Sequence, residues 1–424
     1  MKWQLLLAAL LFVHVLYSQD KPYATKVIET LASSSFHGRG YFKKGDLKAA
    51  RYIRSQFRHH GLQYFGEDYF QEFPMAINVI TGKTRLWINK ELLAPGTEYL
   101  VAAFVPSVNE VYSPVFLFND SLFDTEKDTR FANEDLSGHI IITDKYHTNV
   151  KRKNYLNNPV LVLKEDKENL WWHVSNARSP SSFFVGEVKR GAIPGDSISE
   201  VKIKVKSKFI PDYISQNVAG YVPGSVQPDT MIVFTAHYDH LGCMGRDACF
   251  PGANDNASGT AMIMDLARYY AGLEDAPYYS MVFIALGGEE AGLVGARYCA
   301  DNPLFDLSKV KFLVNLDMVG TGSDGITVVN GETFRSAFDT LQQINTRHQY
   351  LKQVKIRGES CNSDHCPFYE KGVPSVFIYS MGDGYNEYHT VNDKSPGLPL
   401  SGYNSLFRLL TDFVQSLEKF NPKH

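Results

Sequence analysis

Residues 231–240 read Met231-Ile232-Val233-Phe234-Thr235-Ala236-His237-Tyr238-Asp239-His240. A short, almost wholly apolar run rich in β-branched and aromatic residues is the pattern of a strand buried on both faces. Three more runs of this kind follow, at 281–286, 312–316 and 375–379, and segments with helical spacing lie at 260–270 and 291–300. Buried strands alternating with helices predict an α/β fold, a mostly parallel central sheet with helices on both faces.

In open parallel sheets the ligand site lies outside the carboxyl ends of the strands, so the residues leaving each run carry the information. The first run exits into His237-Tyr238-Asp239-His240, the second into Gly287-Gly288-Glu289-Glu290, and the third into Asp317. A turn, Pro251-Gly252-Ala253-Asn254-Asp255-Asn256-Ala257-Ser258-Gly259, leads into the helix at 260–270, and Tyr388-His389-Thr390 comes near the end, followed by Asp393. Each residue alone has a structural reading: a buried hydrogen-bonded histidine, a capping aspartate, a solvated helix start with acids favourably placed on its dipole. Asp317 at the end of an apolar run is harder to treat so, because an unpaired buried carboxylate is costly. Their convergence points to a metal site. Imidazole and carboxylate without cysteine suit zinc or a similar divalent ion, and the set exceeds what one four-coordinate ion needs. Two such ions bridged by one carboxylate would use it and leave a carboxylate for proton transfer. Adjacent acids at a turn point differently, so of Glu289 and Glu290 one can coordinate while its neighbour acts as base.

Composition limits the alternatives. The chain has 424 residues, 44% hydrophobic and 21% charged, with a formal net charge of −3. That length leaves room for two or three domains, and the charge offers no cationic field to hold a nucleic acid. There is no H-E-x-x-H, no G-x-S-x-G and no Walker-type loop, which removes the helical zinc-protease, serine-hydrolase and P-loop patterns.

At the start, Lys2 precedes an apolar stretch from Leu5 to Leu16 and then Tyr17-Ser18-Gln19. This is too short to span a bilayer and fits a cleavable signal peptide over 1–18, predicting an exported chain with no stable membrane association. Five cysteines follow, Cys243, Cys249, Cys299, Cys361 and Cys366. An odd number allows at most two bridges and leaves one thiol. Either close pair could staple its own loop, or the two loops could be joined.

From 45 to 61, Leu47, Ala50, Ile53 and Phe57 line one helix face, and Gly61 is a stop signal. Between about 90 and 205 the texture changes to short β-rich runs, such as 115–118, 140–142 and 160–163, separated by turns and lysine-rich stretches including Lys151-Arg152-Lys153. The lysines read as a solvated face. The expected division is a leader at 1–18, an N-terminal part of the catalytic domain at 19–89, an inserted β-rich module at 90–205 and the metal-binding core at 206–424.

Taken together, Thr235–Gly242, the 251–259 turn, Gly288-Glu289-Glu290, Asn315-Leu316-Asp317-Met318, Ser363-Asp364-His365 and Tyr388-His389-Thr390 resemble the exported di-zinc aminopeptidases of the bacterial leucyl aminopeptidase type. Glutamate carboxypeptidase and glutaminyl cyclase are more distant relatives. His37-Gly38-Arg39 and Asn217-Val218-Ala219-Gly220 also look like this family, so the resemblance covers roughly 25–85 and 210–424. It implies a zinc exopeptidase fold and hydrolysis of the N-terminal bond of a peptide substrate, a carboxypeptidase or cyclase on the same zinc site being the alternative. It implies that His237 and Asp317 bind one zinc, that Glu290 and His389 bind the other, and that Asp255 bridges both. Glu289 would be the general base, and Asp239 would hydrogen-bond the second ring nitrogen of His237. His365, Tyr385 and Tyr388 would stand near the substrate, Asp364 would be structural, and Asp393 would order the loop after His389. The 90–205 module resembles a protease-associated insert.

Overall fold

The computed structural model describes residues 21–117, 137–144, 158–175, 179–195 and 197–419. The leader expected at 1–18 and Lys151-Arg152-Lys153 lie outside the described residues. Among the described residues, no helix is long and apolar enough to cross a membrane.

The four apolar runs are adjacent strands. In spatial order Tyr279–Leu286, Gln227–His237, Val310–Leu316 and Ser375–Met381 form the parallel centre of an eight-stranded sheet. All eight residues of Tyr279–Leu286 are buried, which is why this strand is apolar throughout rather than alternating. Alternate residues feed two cores. Ile232, Phe234 and Ala236 pack with the helices Lys21–Leu31, Gly45–His59, Gly259–Ala271 and Tyr403–Lys419. Val233 packs on the opposite face with Ala296 and Cys299 of Val294–Asp301 and Phe368 of His365–Glu370.

Antiparallel pairs flank this parallel centre. On one side Ser207–Val222 and then Phe70–Ile80 add antiparallel, and on the other Gly325–Val329 adds antiparallel and carries Val354–Ile356 parallel to it. Part of Phe70–Ile80 alternates between covered and exposed positions, the pattern of a strand with one solvated face.

A second eight-stranded sheet has the order Glu91–Leu92, Arg85–Ile88, Val201–Val205, Val108–Leu117, His139–Thr143, Val160–Lys164, Val185–Lys189 and Tyr99–Val101. It starts ahead of residue 90, because Arg85–Ile88 pairs residue for residue with 201–204. Its core also takes in Leu241, Met244, Ala248 and Phe250. These come from a hairpin, Gly242–Met244 with Ala248–Phe250, that follows the carboxyl end of Gln227–His237. The ring of Trp172 stacks on Phe250 with centroids 4.8 Å apart, so the two sheets meet beside that end.

The cysteines pair locally. Cys243 is bridged to Cys249 across the hairpin, Cys361 is bridged to Cys366, and Cys299 is a buried thiol.

Candidate metal centre

His237 is the last residue of Gln227–His237, and Asp317 directly follows Val310–Leu316. Parallel pairing brings these exits together. His237 Nε2 lies 3.3 Å from Asp317 Oδ1 and 3.4 Å from Asp255 Oδ1. On the other side of Asp255, His389 Nε2 lies 3.1 Å from Asp255 Oδ2 and 3.4 Å from Glu290 Oε2. Asp255 therefore shows one carboxylate oxygen to each of two imidazole–carboxylate groups.

These separations test whether an ion fits. Donors at the corners of a zinc tetrahedron with bonds near 2.0 Å are ~3.3 Å apart, and all four N···O distances around Asp255 match that spacing. The donor set is nitrogen and oxygen only, as such a centre requires. His240 is different. It is fully buried, and its Nδ1 is 2.7 Å from Glu290 Oε1 and 3.9 Å from Asp255 Oδ1. The shorter distance is that of a hydrogen bond, so His240 orients Glu290 while His389 has the spacing of a ligand.

Each acid in the cluster is fixed from behind. Asp317 Oδ2 accepts a hydrogen bond from the Ser363 hydroxyl at 2.7 Å, Ser363 accepts one from Asn315 Nδ2 at 2.8 Å, and Asn315 Oδ1 accepts one from the Thr235 hydroxyl at 2.8 Å. The backbone N–H groups of Asn254 and Asp255 donate to the two oxygens of Asp393. Arg39 is completely buried, and its guanidinium donates to the carbonyls of Leu31, Tyr238, Pro251, Gly252 and Asp255. One cation thus ties the exit of the first strand to the 251–259 turn. Gly38 precedes it with φ 59°, and a Cβ there would collide with the carbonyls of Phe250 and Gly242, which explains the glycine.

The charge balance is strained towards the anionic side. Burial raises the Glu290 carboxyl well above the usual range, and Asp255 and Glu289 add to this against the pull of His389. Burial also raises Glu289, with Asp364, Asp317 and Asp239 adding to it against His237. Burial works against a proton on His389, but Glu290 and Asp255 outweigh it and lift the ring to about 9. Crowded buried acids that hold protons and pull them onto neighbouring histidines are what a dication would relieve.

Several expected contacts fall elsewhere. The Asp239 carboxylate is 3.9 Å from His237 Nδ1, which instead meets the Asp239 backbone oxygen at 3.2 Å. The carboxylate accepts from the backbone N–H of Glu289 at 3.1 Å and from the Tyr41 hydroxyl at 3.0 Å. Asp239 therefore holds the Glu289-Glu290 turn. The Tyr385 hydroxyl is committed to Asp393 at 2.8 Å, which places it in the loop scaffold. His365 is buried, with Nε2 2.9 Å from the Ser360 carbonyl and its ring beside Phe377. Asp364 is buried too, and burial, aided by Asp239 and Asp317 against His237, pushes it up to about 8. Tyr388 is 37% exposed and stacks on His389 with centroids 3.8 Å apart, with Trp171 edge-on to it at 5.6 Å. His173 was not among the expected site residues, yet its Nδ1 is 3.2 Å from His389 Nδ1.

Residues 217–414 match the profile of peptidase family M28. The chain is 31% identical over 215 residues to Aminopeptidase YwaD of Bacillus subtilis, covering 47% of this chain and 44% of that one. It is 34% identical over 169 residues to a probable zinc metalloprotease of Leptosphaeria maculans, covering 36% and 38%. The matches therefore span less than half the length of these curated relatives. Among solved structures, a zinc aminopeptidase from Bacillus subtilis superposes with a TM-score of 0.71 at 20% identity, covering 96% of this chain and 97% of that one. That likeness extends across both sheets. The segment matched by the model of peptidase family M28 carries His237, Asp255, Glu289, Glu290, Asp317 and His389.

Proposed function

We propose that the chain is an exported aminopeptidase that holds two zinc ions and hydrolyses the N-terminal bond of peptides. The observation that carries this reading is the placement of Asp255, one oxygen towards His237 and the other towards His389. His237, Asp317 and Asp255 would hold one ion, and Glu290, His389 and Asp255 the other. Bound there, the pair would supply Lewis acidity, polarising a carbonyl and lowering the pKa of a water.

The chain's own residues account for the proton. Glu289 neighbours a ligand position without being required as one, and its backbone is anchored by Asp239. It takes the proton of the attacking water and delivers it to the leaving amine. The substrate's α-amino group lies on the His389 and Glu290 side, with the exposed Tyr388 ring beside it. In this reading the 90–205 region is an inserted module flanking the site, and 1–18 is a leader lost on export.

Zinc content measured together with hydrolysis of an aminoacyl-anilide panel tests the reading. Two zinc equivalents per chain, cleavage of free-amine anilides and indifference to N-blocked substrates are expected. Cleavage of C-terminal controls alone would make it a carboxypeptidase, and a zinc-free active chain would overturn the two-metal scheme.

A further inference from the structure

His389 takes part in the cluster through Nε2, its neighbours there being Asp255 Oδ2 and Glu290 Oε2. If that nitrogen offers its lone pair to an ion, the ring proton sits on Nδ1 and needs an acceptor. The atom in place is Nδ1 of His173, 3.2 Å away, with the rings 4.9 Å apart and inclined by 69°. His173 belongs to the 165–175 segment that follows the strand Val160–Lys164 of the second sheet, and lies 216 residues from His389 along the chain.

The contact is built on fixed supports. Trp172, the preceding residue, is buried, donates its indole N–H to the Val101 carbonyl at 2.7 Å and stacks on Phe250. Its backbone N–H donates to the His389 carbonyl at 3.1 Å. His389 itself has φ 56°, a left-handed backbone that a residue with a Cβ keeps only when its surroundings impose it. On the same side, Asn169 Nδ2 donates to the Asn386 carbonyl at 3.2 Å. The 169–173 segment thus lies along 386–389, gripping both the backbone and the ring of one cluster histidine.

We infer that His173 is a positioning residue for the second metal: its Nδ1 accepts the Nδ1–H of His389, fixing that ring's tautomer and direction, so the second sheet completes the centre. This rests on the two-zinc reading above. It also predicts which replacement works. The Oδ1 of an asparagine is the same number of bonds from Cβ as the histidine Nδ1 and is likewise an acceptor, whereas leucine fills similar space with none.

The test is zinc retention by the full chain against a graded chelator, for the wild type, His173→Leu and His173→Asn, with circular dichroism of each to compare folding. Loss of an outer-shell partner costs about 10–100-fold in metal affinity. His173→Leu should therefore release one of its two zinc ions at about tenfold lower chelator or less, while His173→Asn follows the wild type. A Leu variant that holds both ions like the wild type, or an Asn variant as leaky as the Leu variant, overturns the assignment of His173 alone. A wild type that binds no zinc takes the two-zinc reading down with it.

Discussion

Asp393 holds Asp255 by its backbone. One carboxylate oxygen of Asp393 accepts the N–H of Asp255 at 3.0 Å and the other accepts that of Asn254 at 2.8 Å. The residue set between the two imidazole–carboxylate groups is thus placed by an acid from the C-terminal part of the chain. Asp393→Ala would strand two buried N–H donors at a cost of about 1–3 kcal/mol each. The expected outcome is a lower unfolding midpoint together with zinc content below two equivalents. A variant with full zinc and an unchanged midpoint would show that the 251–259 turn holds itself.

Glu289→Gln keeps the size of the side chain and removes its basicity. It should retain both zinc equivalents, because the proposed ligands are untouched, and lose turnover by about 10²–10⁴-fold, the range attributed to a positioned acid–base group. Elemental analysis and kcat on the same preparation decide it. Zinc lost in parallel with activity would instead make Glu289 a ligand.

Chelation tests the donor set as a whole. Dialysis against a strong chelator should abolish peptidase activity, and added Zn²⁺ should restore it. Asp255→Ala should empty both groups and not recover at the same zinc concentration, since both share that carboxylate. An Asp255→Ala protein still carrying two equivalents would sink the bridging role.

Arg39 should matter for stability out of proportion to its distance from the acids. Arg39→Met keeps much of the buried bulk but takes the guanidinium from five carbonyls, of which that of Gly252 still accepts the Ala257 N–H. The expected loss is at least about 3 kcal/mol, from unsatisfied buried acceptors at roughly 1–3 kcal/mol each. Urea unfolding measures it. A loss below about 1 kcal/mol would mean that water replaces the guanidinium without penalty.

Asp46 gives the pH dependence. Burial raises this carboxyl to about 6, although Tyr213 at 2.5 Å, Ser215 at 3.0 Å and a backbone N–H favour its anion. Between its ordinary value of 3.8 and about 6 the folded chain holds a proton there that the unfolded chain has released. Its contribution to stability is therefore full below about pH 4 and is lost as pH rises through 6. The wild-type stability minus that of Asp46→Asn should fall across this interval, read from urea midpoints at half-unit steps. A difference that stays level from pH 4 to 7 would refute it.

The parts readable in the sequence were those with a local cause. The central strands are apolar because they are covered on both faces, and their exits stand out because histidine and carboxylate abruptly replace Val, Ile and Phe. The helix expected at 45–61 is present as Gly45–His59 for the same kind of reason, an apolar stripe ended near glycine. Asp393 was expected to order its loop, and it also fixes Asp255. Contacts decided by an ångström of placement were not readable. Asp239 can face either the His237 ring or the Glu289 N–H, and nothing in Tyr238-Asp239-His240 chooses between them. His173 carries no periodicity or spacing signal, because its meaning comes from a neighbour on a different sheet. The antiparallel strand Phe70–Ile80 was hidden as well, since a strand whose positions alternate between covered and exposed lacks the continuous apolar run that marked the centre.

The grip of Trp172 and His173 on His389 spans 216 residues of chain, and Asp393 comes later still. No nascent chain that stops short of residue 389 contains the second group, however well its earlier strands have folded. Hydrolytic competence would then arrive late in synthesis and all at once, a form of timing written into residue order. A half-made chain would carry the central strands without the histidine that completes the second group.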